Sequence, residues 1–368
     1  MYADLKTGRE AGYSLLELMV SLGVMLIIVG AAFALIGGSL RFANSAFYMT
    51  DAEESLRAAH ESINRDLTSA GYGLKTIGNI TVPLSFASNY LTQTTIVDSA
   101  DPTHHQLGLL TTDDAIPANT AVPQSSPATN FLPNSDRVSM LIQDQTFNSG
   151  NAVTLLAGKI TVAGADTNIN VGAANIGLFQ VGEIYAILSK SSAAFGLITS
   201  INTTTNTIIM TNGDGLGLNQ TGATAPISKV SVVFSGVSTQ NASIIRLQIV
   251  QYYVNSNGLL MRRVFGIKSG GFTEAPVAEH VTNLQFRYNT SISDANGFVT
   301  QPVTVISTPI QQASLREVET TIGVETVHAV NAVTNANANS SANGKQIIQT
   351  TTATTVRNLQ FGANAREQ

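Results

Sequence analysis

The chain has 368 residues, 43% of them hydrophobic, which is room for one large or two modest globular units and too apolar for disorder. Charged residues make up only 12% and the net charge is −5, which excludes the basic footprint of a protein that wraps nucleic acid. Cysteine and tryptophan are absent, which excludes disulfide scaffolds, thiolate metal sites and cysteine nucleophiles and leaves a mostly aliphatic core.

The first element in chain order is a membrane segment. Residues 18–40 carry no charge and are bounded by Glu17 and Arg41. At a rise of ~1.5 Å per residue they make about 35 Å of helix, enough to cross a hydrocarbon core of roughly 30 Å. A secretory signal has an apolar region of only about 7–15 residues, so this run reads as an anchor. No second span follows, which places the remainder on one side of the membrane. Lys6 and Arg9 precede the span but Asp4 and Glu10 balance them, so flanking charge orients it weakly.

The approach to the span is Ala11-Gly12-Tyr13-Ser14-Leu15-Leu16-Glu17-Leu18. A carboxylate at the edge of a membrane helix is costly unless it finds a partner. With its short polar leader ending in Gly12, an aromatic Tyr13 and Glu17 four residues later, the segment resembles the class III signal of type IV prepilins and pseudopilins. The resemblance implies that Gly12 is the last leader residue and that a prepilin peptidase cuts between Gly12 and Tyr13. It further implies that the Tyr13 amine is methylated and that Glu17 pairs with a neighbouring subunit's amine during assembly. Tyr13 stands where Phe is commoner, and Ala34 stands where major pilins usually carry Pro, which points to a minor pilin or pseudopilin. Gly23, Gly30 and Gly37 recur every seven residues, on one helix face that would allow close helix packing.

Past the span, Phe42, Ala46, Met49, Leu56, Ala59, Ile63 and Leu67 form one apolar stripe, with Glu53/Arg57 and Glu61/Arg65 as favourable i, i+4 pairs. Thr50-Asp51-Ala52-Glu53 fits a capping box, but the stripe keeps phase across it and one continuous helix is expected, ending near Gly71-Tyr72-Gly73. The stripe is expected to pack on the domain that follows. From Leu74 onward the pattern is β. Apolar or alternating runs occur at 138–143, 183–188, 194–198, 208–210, 231–234 and 244–254, then at 259–264, 281–288, 318–330 and 355–361. Asn255-Ser256-Asn257-Gly258 reads as a hairpin turn. The stretches 92–133 and 331–344 read as long loops, the first rich in Pro and the second in Asn, Ala and Ser.

The helix end Arg65-Asp66-Leu67-Thr68-Ser69-Ala70-Gly71-Tyr72-Gly73, Ser135-Asp136-Arg137-Val138 and Val181-Gly182-Glu183-Ile184 extend the likeness. Together with Tyr252-Tyr253-Val254 before Leu260-Met261-Arg262-Arg263, and the closing Val356-Arg357-Asn358-Leu359, they resemble the PilW family of minor pilins. The J-type pseudopilin of type II secretion shares the start and the Leu/Arg hairpin but is usually much shorter. Many pilins staple their C-terminal region by a disulfide, which this chain cannot form, so strand packing must supply the ~2–5 kcal/mol of such a bridge.

No constellation for catalysis stands out. The histidines are His60, His104, His105, His280 and His328, and none lies in a His-Glu-x-x-His arrangement. Adjacent His104 and His105 read as solvated loop residues rather than metal ligands. Asn212-Gly213-Asp214-Gly215-Leu216-Gly217 lacks Lys and a following helix, so it reads as a turn. Asp214 with Asn212 lacks calcium-loop spacing. Asp98, Asp101, Asp113 and Asp114 read as solvated. Arg262 and Arg263 are expected on opposite strand faces, with at least one in solvent.

The sequence therefore predicts an α+β, pilin-like chain. Residues 1–12 form a leader, 13–40 the membrane and assembly half of the first helix, and 41–73 its amphipathic half. Residues 74–368 form a β-rich, mostly antiparallel head. The expected role is assembly rather than catalysis: a minor type IV pilin in a priming or tip complex. The rival readings are a J-type pseudopilin and an adhesive or nucleic-acid-uptake tip subunit. Expected partners are prepilin peptidase, other minor pilins, the major pilin, the inner membrane through the first helix and a large tip protein. No direct nucleic-acid binding, metal or cofactor is expected. The head would face the periplasm before assembly and lie in the filament at the cell surface afterwards.

Overall fold

The computed structural model describes residues 12–72, 74, 80–91, 96–97, 104–107, 109–156, 158–188, 193–219, 242–267, 271–294, 297–306, 311, 314–330 and 343–356. The leader residues 1–11, the run at 231–234, the loop tip at 331–342 and residues 357–361 of the last expected strand lie outside these. The described chain is a long N-terminal apolar helix followed by a β-rich, largely antiparallel head, an α+β arrangement of the pilin kind.

Helix α1 spans Leu15–Ser69 without interruption, including Thr50 and Ala34. It stops where the sequence places its glycines. Gly71 takes φ +73°, a conformation without steric cost only for Gly, and its amide donates to the carbonyl of Leu141 at 2.8 Å. After it come β1 (Ile80–Pro83), helical turns at Leu84–Phe86 and Ala87–Leu91, β2 (Ile96–Val97), β3 (His104–Leu107), β4 (Leu110–Asp113) and β5 (Arg137–Gln143). Next are β6 (Val153–Leu155), β7 (Ile160–Ala163), β8 (Asp166–Asn170), β9 (Ile184–Leu188), β10 (Ala193–Leu197), β11 (Ser200–Asn202) and β12 (Thr207–Thr211). The last group is β13 (Ala242–Val254), β14 (Leu260–Phe265), β15 (Phe272–Ala278), β16 (Val281–Asp294), β17 (Gly297–Val303), β18 (Leu315–Glu325) and β19 (Ile347–Thr355).

Contacts divide the chain into two units, Met1–Asp51 with Thr326–Gln346, and Ala52–Glu325 with Ile347–Gln368. In the first, the apolar part of α1 is exposed almost throughout. The Thr326 amide donates to the Gln346 carbonyl at 2.9 Å and the Val330 amide to the Gly344 carbonyl at 3.0 Å. The rings of Tyr48 and His328 meet there at 5.0 Å between centroids.

Among the described residues the second unit holds three sheets. The largest is organised on β13, whose first residues pair with β6 and β9 and whose remainder pairs with β5 and β14. Its turn into β14 is the expected one: the Asn255 carboxamide accepts the amides of Asn257 and Leu259, and Gly258 takes φ +73°. A second sheet runs β11-β12-β8-β7 and a third β17-β16-β18-β19. Among the described residues the single parallel pair is β1 with β10. The apolar stripe of α1 is core only in its second part. Leu56, Ala59, Ile63 and Leu67, with Ala52, are buried with Val250, Tyr252, Leu284, Phe286, Val318 and Ile322, whereas Phe42 and Ala46, expected on the same packed face, are exposed and Met49 is half-buried. Burying an aliphatic side chain of that size contributes roughly 1.5–3 kcal/mol.

Several expectations need correction. The stretch 92–133 is not one loop: it contains β2, β3 and β4, and His104 and His105 lie in β3, in register with Pro83 and Val82. The strand begun at 281 runs on to Asp294, and a strand that was not expected runs over 347–355. Strands β6–β8, β11, β15 and β17 were not expected: Asp-Thr-Asn-Ile-Asn has a single apolar residue, and Phe-Thr-Glu-Ala-Pro-Val-Ala holds its apolar residues out of alternation and contains Pro. Arg262 and Arg263 do leave opposite faces of β14, but both are held by carboxylates.

Candidate functional site

The N-terminal signal is built on the first turn of α1. Gly12, Tyr13 and Ser14 precede the helix, and Tyr13 is 80% exposed. The Ser14 hydroxyl accepts the Glu17 amide at 3.2 Å, and the Ser14 carbonyl accepts the Leu18 amide at 3.2 Å. Ser14 is therefore the N-cap, and Glu17 is the acidic residue of the first turn, at the positive end of the helix. Ser14-Leu15-Leu16-Glu17 is the Ser-x-x-Glu spacing of a capping box, a signal present in the sequence that the reading of this segment overlooked.

This geometry has a chemical consequence. Cleavage after Gly12 would leave a cationic amine on Tyr13, one residue before the N-cap and beside the partial positive charge of the helix end. Like charges repel there, so a carboxylate in the first turn is the compensating group, and Glu17 is the acidic residue of that turn. A Cβ built at Gly12 meets nothing within 4 Å, so no packing in the fold demands glycine at this position. The same open space surrounds Gly23, Gly30 and Gly37, which lie on one face of α1 and among the described residues pack against no second helix. Over its apolar part α1 is long and apolar enough to cross a membrane.

The other end of α1 is tied to the head by polar groups. Asp66, buried, accepts the Tyr252 hydroxyl at 2.7 Å and the Arg262 Nε at 2.6 Å, and Ser62 shares a 2.8 Å bond with Tyr252. Burial, and after it the Asp66 charge, raises the Tyr252 phenol well above its ordinary range. His60 lies between the hydroxyls of Thr350 and Thr352 on β19, at 2.8 and 2.9 Å, and Asn64 accepts from Thr354 at 2.7 Å. Burial lowers His60 below its ordinary value, so the neutral ring is the form that fits between the two threonines. Ser55 closes the far end, donating to the Glu279 carbonyl and accepting the Glu279 amide.

Other buried ionisable groups of the head are internal ties. Fully buried Arg263 donates to Glu274, to the Tyr253 hydroxyl and to the Pro123 carbonyl, with its guanidinium 4.0 Å from the Phe272 ring centroid. Buried Arg137 pairs with Asp113, and Arg246 joins Asp144 and Glu183. Asp113, expected in solvent, is thus buried. Asp136 accepts the amides of Ala115 and Phe286 at 3.0 and 2.6 Å. Asp214 accepts the amides of Leu216, Leu218 and Asn219, so its carboxylate caps a turn and is occupied by backbone. Among the described residues no group of three or more His, Cys, Asp or Glu is placed to hold a metal ion.

Residues 7–33 match the family model described as the prokaryotic N-terminal methylation motif. The matched span contains Gly12, Tyr13, Glu17, Gly23 and Gly30. No curated protein and no solved structure matches the chain significantly. The motif, followed by an apolar helix and a β-rich head, supports a type IV pilin or pseudopilin that is processed by prepilin peptidase and anchored in a membrane.

Proposed function

We propose that this chain is a minor type IV pilin that takes part in initiating or capping the filament, in a priming or tip complex. The observation that carries the reading is the N-terminal signal in register with a helix that runs unbroken through Ala34, where a main fibre subunit usually has its proline break. The role is assembly rather than catalysis. The apolar half of α1 is stored in the inner membrane, with the head on the periplasmic side. It then passes into a fibre core of similar helices, and the head makes lateral contacts with other minor pilins, the major pilin and a large tip protein. Within that core Glu17 pairs with a methylated amine of a neighbouring subunit. Unit charges ~4 Å apart at an effective dielectric of ~20 attract by roughly 4 kcal/mol before desolvation is subtracted.

The test is affinity purification of the tagged chain from membranes and from sheared filaments. Recovery with pilus subunits, and loss of filaments on deletion, is the expected result. Recovery with components of a type II secretion system and unchanged filament number would replace this reading with that of a J-type pseudopilin. Tight binding of DNA or of a surface receptor by the chain would instead make it a tip adhesin.

A further inference from the structure

A β-sheet edge invites another strand, and proteins guard their edges with short strands, prolines, bulges or charges. Nearly every edge in this head is guarded. Strands β2, β4, β6, β7 and β11 run 2, 4, 3, 4 and 3 residues. Edge strand β15 contains Pro276 and Glu274, and edge strand β17 contains Pro302. Strand β19 is different. Its nine residues, Ile-Ile-Gln-Thr-Thr-Thr-Ala-Thr-Thr, hold no charge, proline or glycine. They pair with β18 from Ile347 to Thr355 without a register shift, and β18 is their one strand partner among the described residues.

The surroundings of this edge specify what would pair with it. One face of β19 is turned to α1 through Thr350, Thr352 and Thr354. The other face carries Gln349, Thr351, Ala353 and Thr355, all exposed. Beside them in register on β18 stand Gly323, Thr321, Glu319 and Glu317, with Glu325 opposite Ile347. Among the described residues of β16, β18 and β19, Glu317 and Glu319 stand here with one cation, Arg287, 3.8 Å from Glu319, and the Asn289 carboxamide donates to both carboxylates, at 3.2 and 2.8 Å. A strand added to β19 would lay alternate side chains beside Gln349, Thr351, Ala353 and Thr355, from where long side chains reach across toward the carboxylates of β18.

We infer that the β19 edge is a docking site for an extended segment of a partner protein that carries Lys or Arg at alternate positions, bound by strand addition. A second copy of this chain fits poorly, because its own β19 supplies no cation and would bring a second acidic ledge onto the same face. The inference stands for a pilin and for a pseudopilin alike, so its failure would leave the proposed function untouched.

The probe is a capped synthetic peptide of nine residues, the length of β19, in which Lys alternates with Thr and Val. It is titrated against the full chain in detergent micelles. Binding is expected together with slowed amide exchange confined to 347–355. A Glu-for-Lys peptide should bind about ten-fold more weakly, because its carboxylates would face Glu317 and Glu319 across the small side chains of β19, and a peptide with a central Pro should not bind. Ala353→Lys, at an exposed position, should weaken the Lys peptide about ten-fold while leaving thermal unfolding unchanged. In Glu317→Gln/Glu319→Gln the exchange protection should persist and the preference for Lys over Glu should shrink. Equal binding of the proline peptide, or protection elsewhere than 347–355, would overturn strand addition. A concentration-dependent dimer abolished by Ala353→Lys would overturn the partner chemistry and make a second copy the occupant.

Discussion

Gly12 is surrounded by open space, so its replacement tests recognition and nothing else. Gly12→Ala should leave the head's thermal unfolding unchanged while the uncleaved precursor accumulates in the membrane. Mass spectrometry that finds Tyr13 as the N-terminus of that variant would reject the cleavage assignment. Glu17→Gln separates two roles. The Ser14 cap survives it, because Ser14 receives the residue-17 backbone amide and not its side chain. The helix end loses about 0.3–1 kcal/mol of charge–dipole attraction, too little to prevent insertion. Cleavage should proceed and incorporation into filaments should fall; undiminished co-purification with pilus subunits would remove the pairing role. Asp136 makes a third residue-scale prediction. Burial pushes its carboxyl up to about 7, Asp114 adds to the rise, and the Ala115 and Phe286 amides oppose it. The folded value lies above the ordinary 3.8, so the native state holds a proton that the unfolded state has lost. The contribution to stability is then fullest below about 4 and declines as pH rises through about 7. Denaturant unfolding between pH 5 and 8 should show that decline, and Asp136→Asn should flatten it.

At the scale of elements, α1 was legible from end to end, because 3.6-residue periodicity and an uncharged run survive whatever packs beside them. Its buried set, Leu56, Ala59, Ile63 and Leu67, is the second part of the stripe read from the sequence, while Phe42 and Ala46 of the first part are exposed. The double substitution Leu56→Asp/Ile63→Asp should therefore unfold the head. Each lost burial costs about 1.5–3 kcal/mol, and two buried charges add to that, against a total stability of ~5–15 kcal/mol. An unchanged melting temperature of the full chain in micelles would move the stripe to a subunit interface. The sheets were less legible. The hairpin at Asn255–Gly258 announced itself by turn chemistry, whereas β8 is Asn-rich and β19 Thr-rich, and both gain their place from neighbours rather than from their own apolar pattern. Asp66 and Arg262 illustrate the same limit: each looks like a surface charge in the sequence, and only the meeting of α1 with β14 makes them a pair. At the signal, Gly12, Tyr13 and Glu17 stood out by spacing, while Ser14 was passed over because its role is to a backbone amide.

For the whole molecule, the core is closed by partners far apart in the chain. His60 meets Thr352 across 292 residues and Ser55 meets Glu279 across 224. At about 5–20 residues per second of synthesis, α1 emerges on the order of 15–60 s before the last strand that covers it. Throughout that interval Leu56, Ile63 and Leu67 have no sheet to lie against, while the preceding stretch of the same helix has already found lipid. In a membrane-anchored chain that end would act as a tether, fixing where each nascent head waits for its last strand.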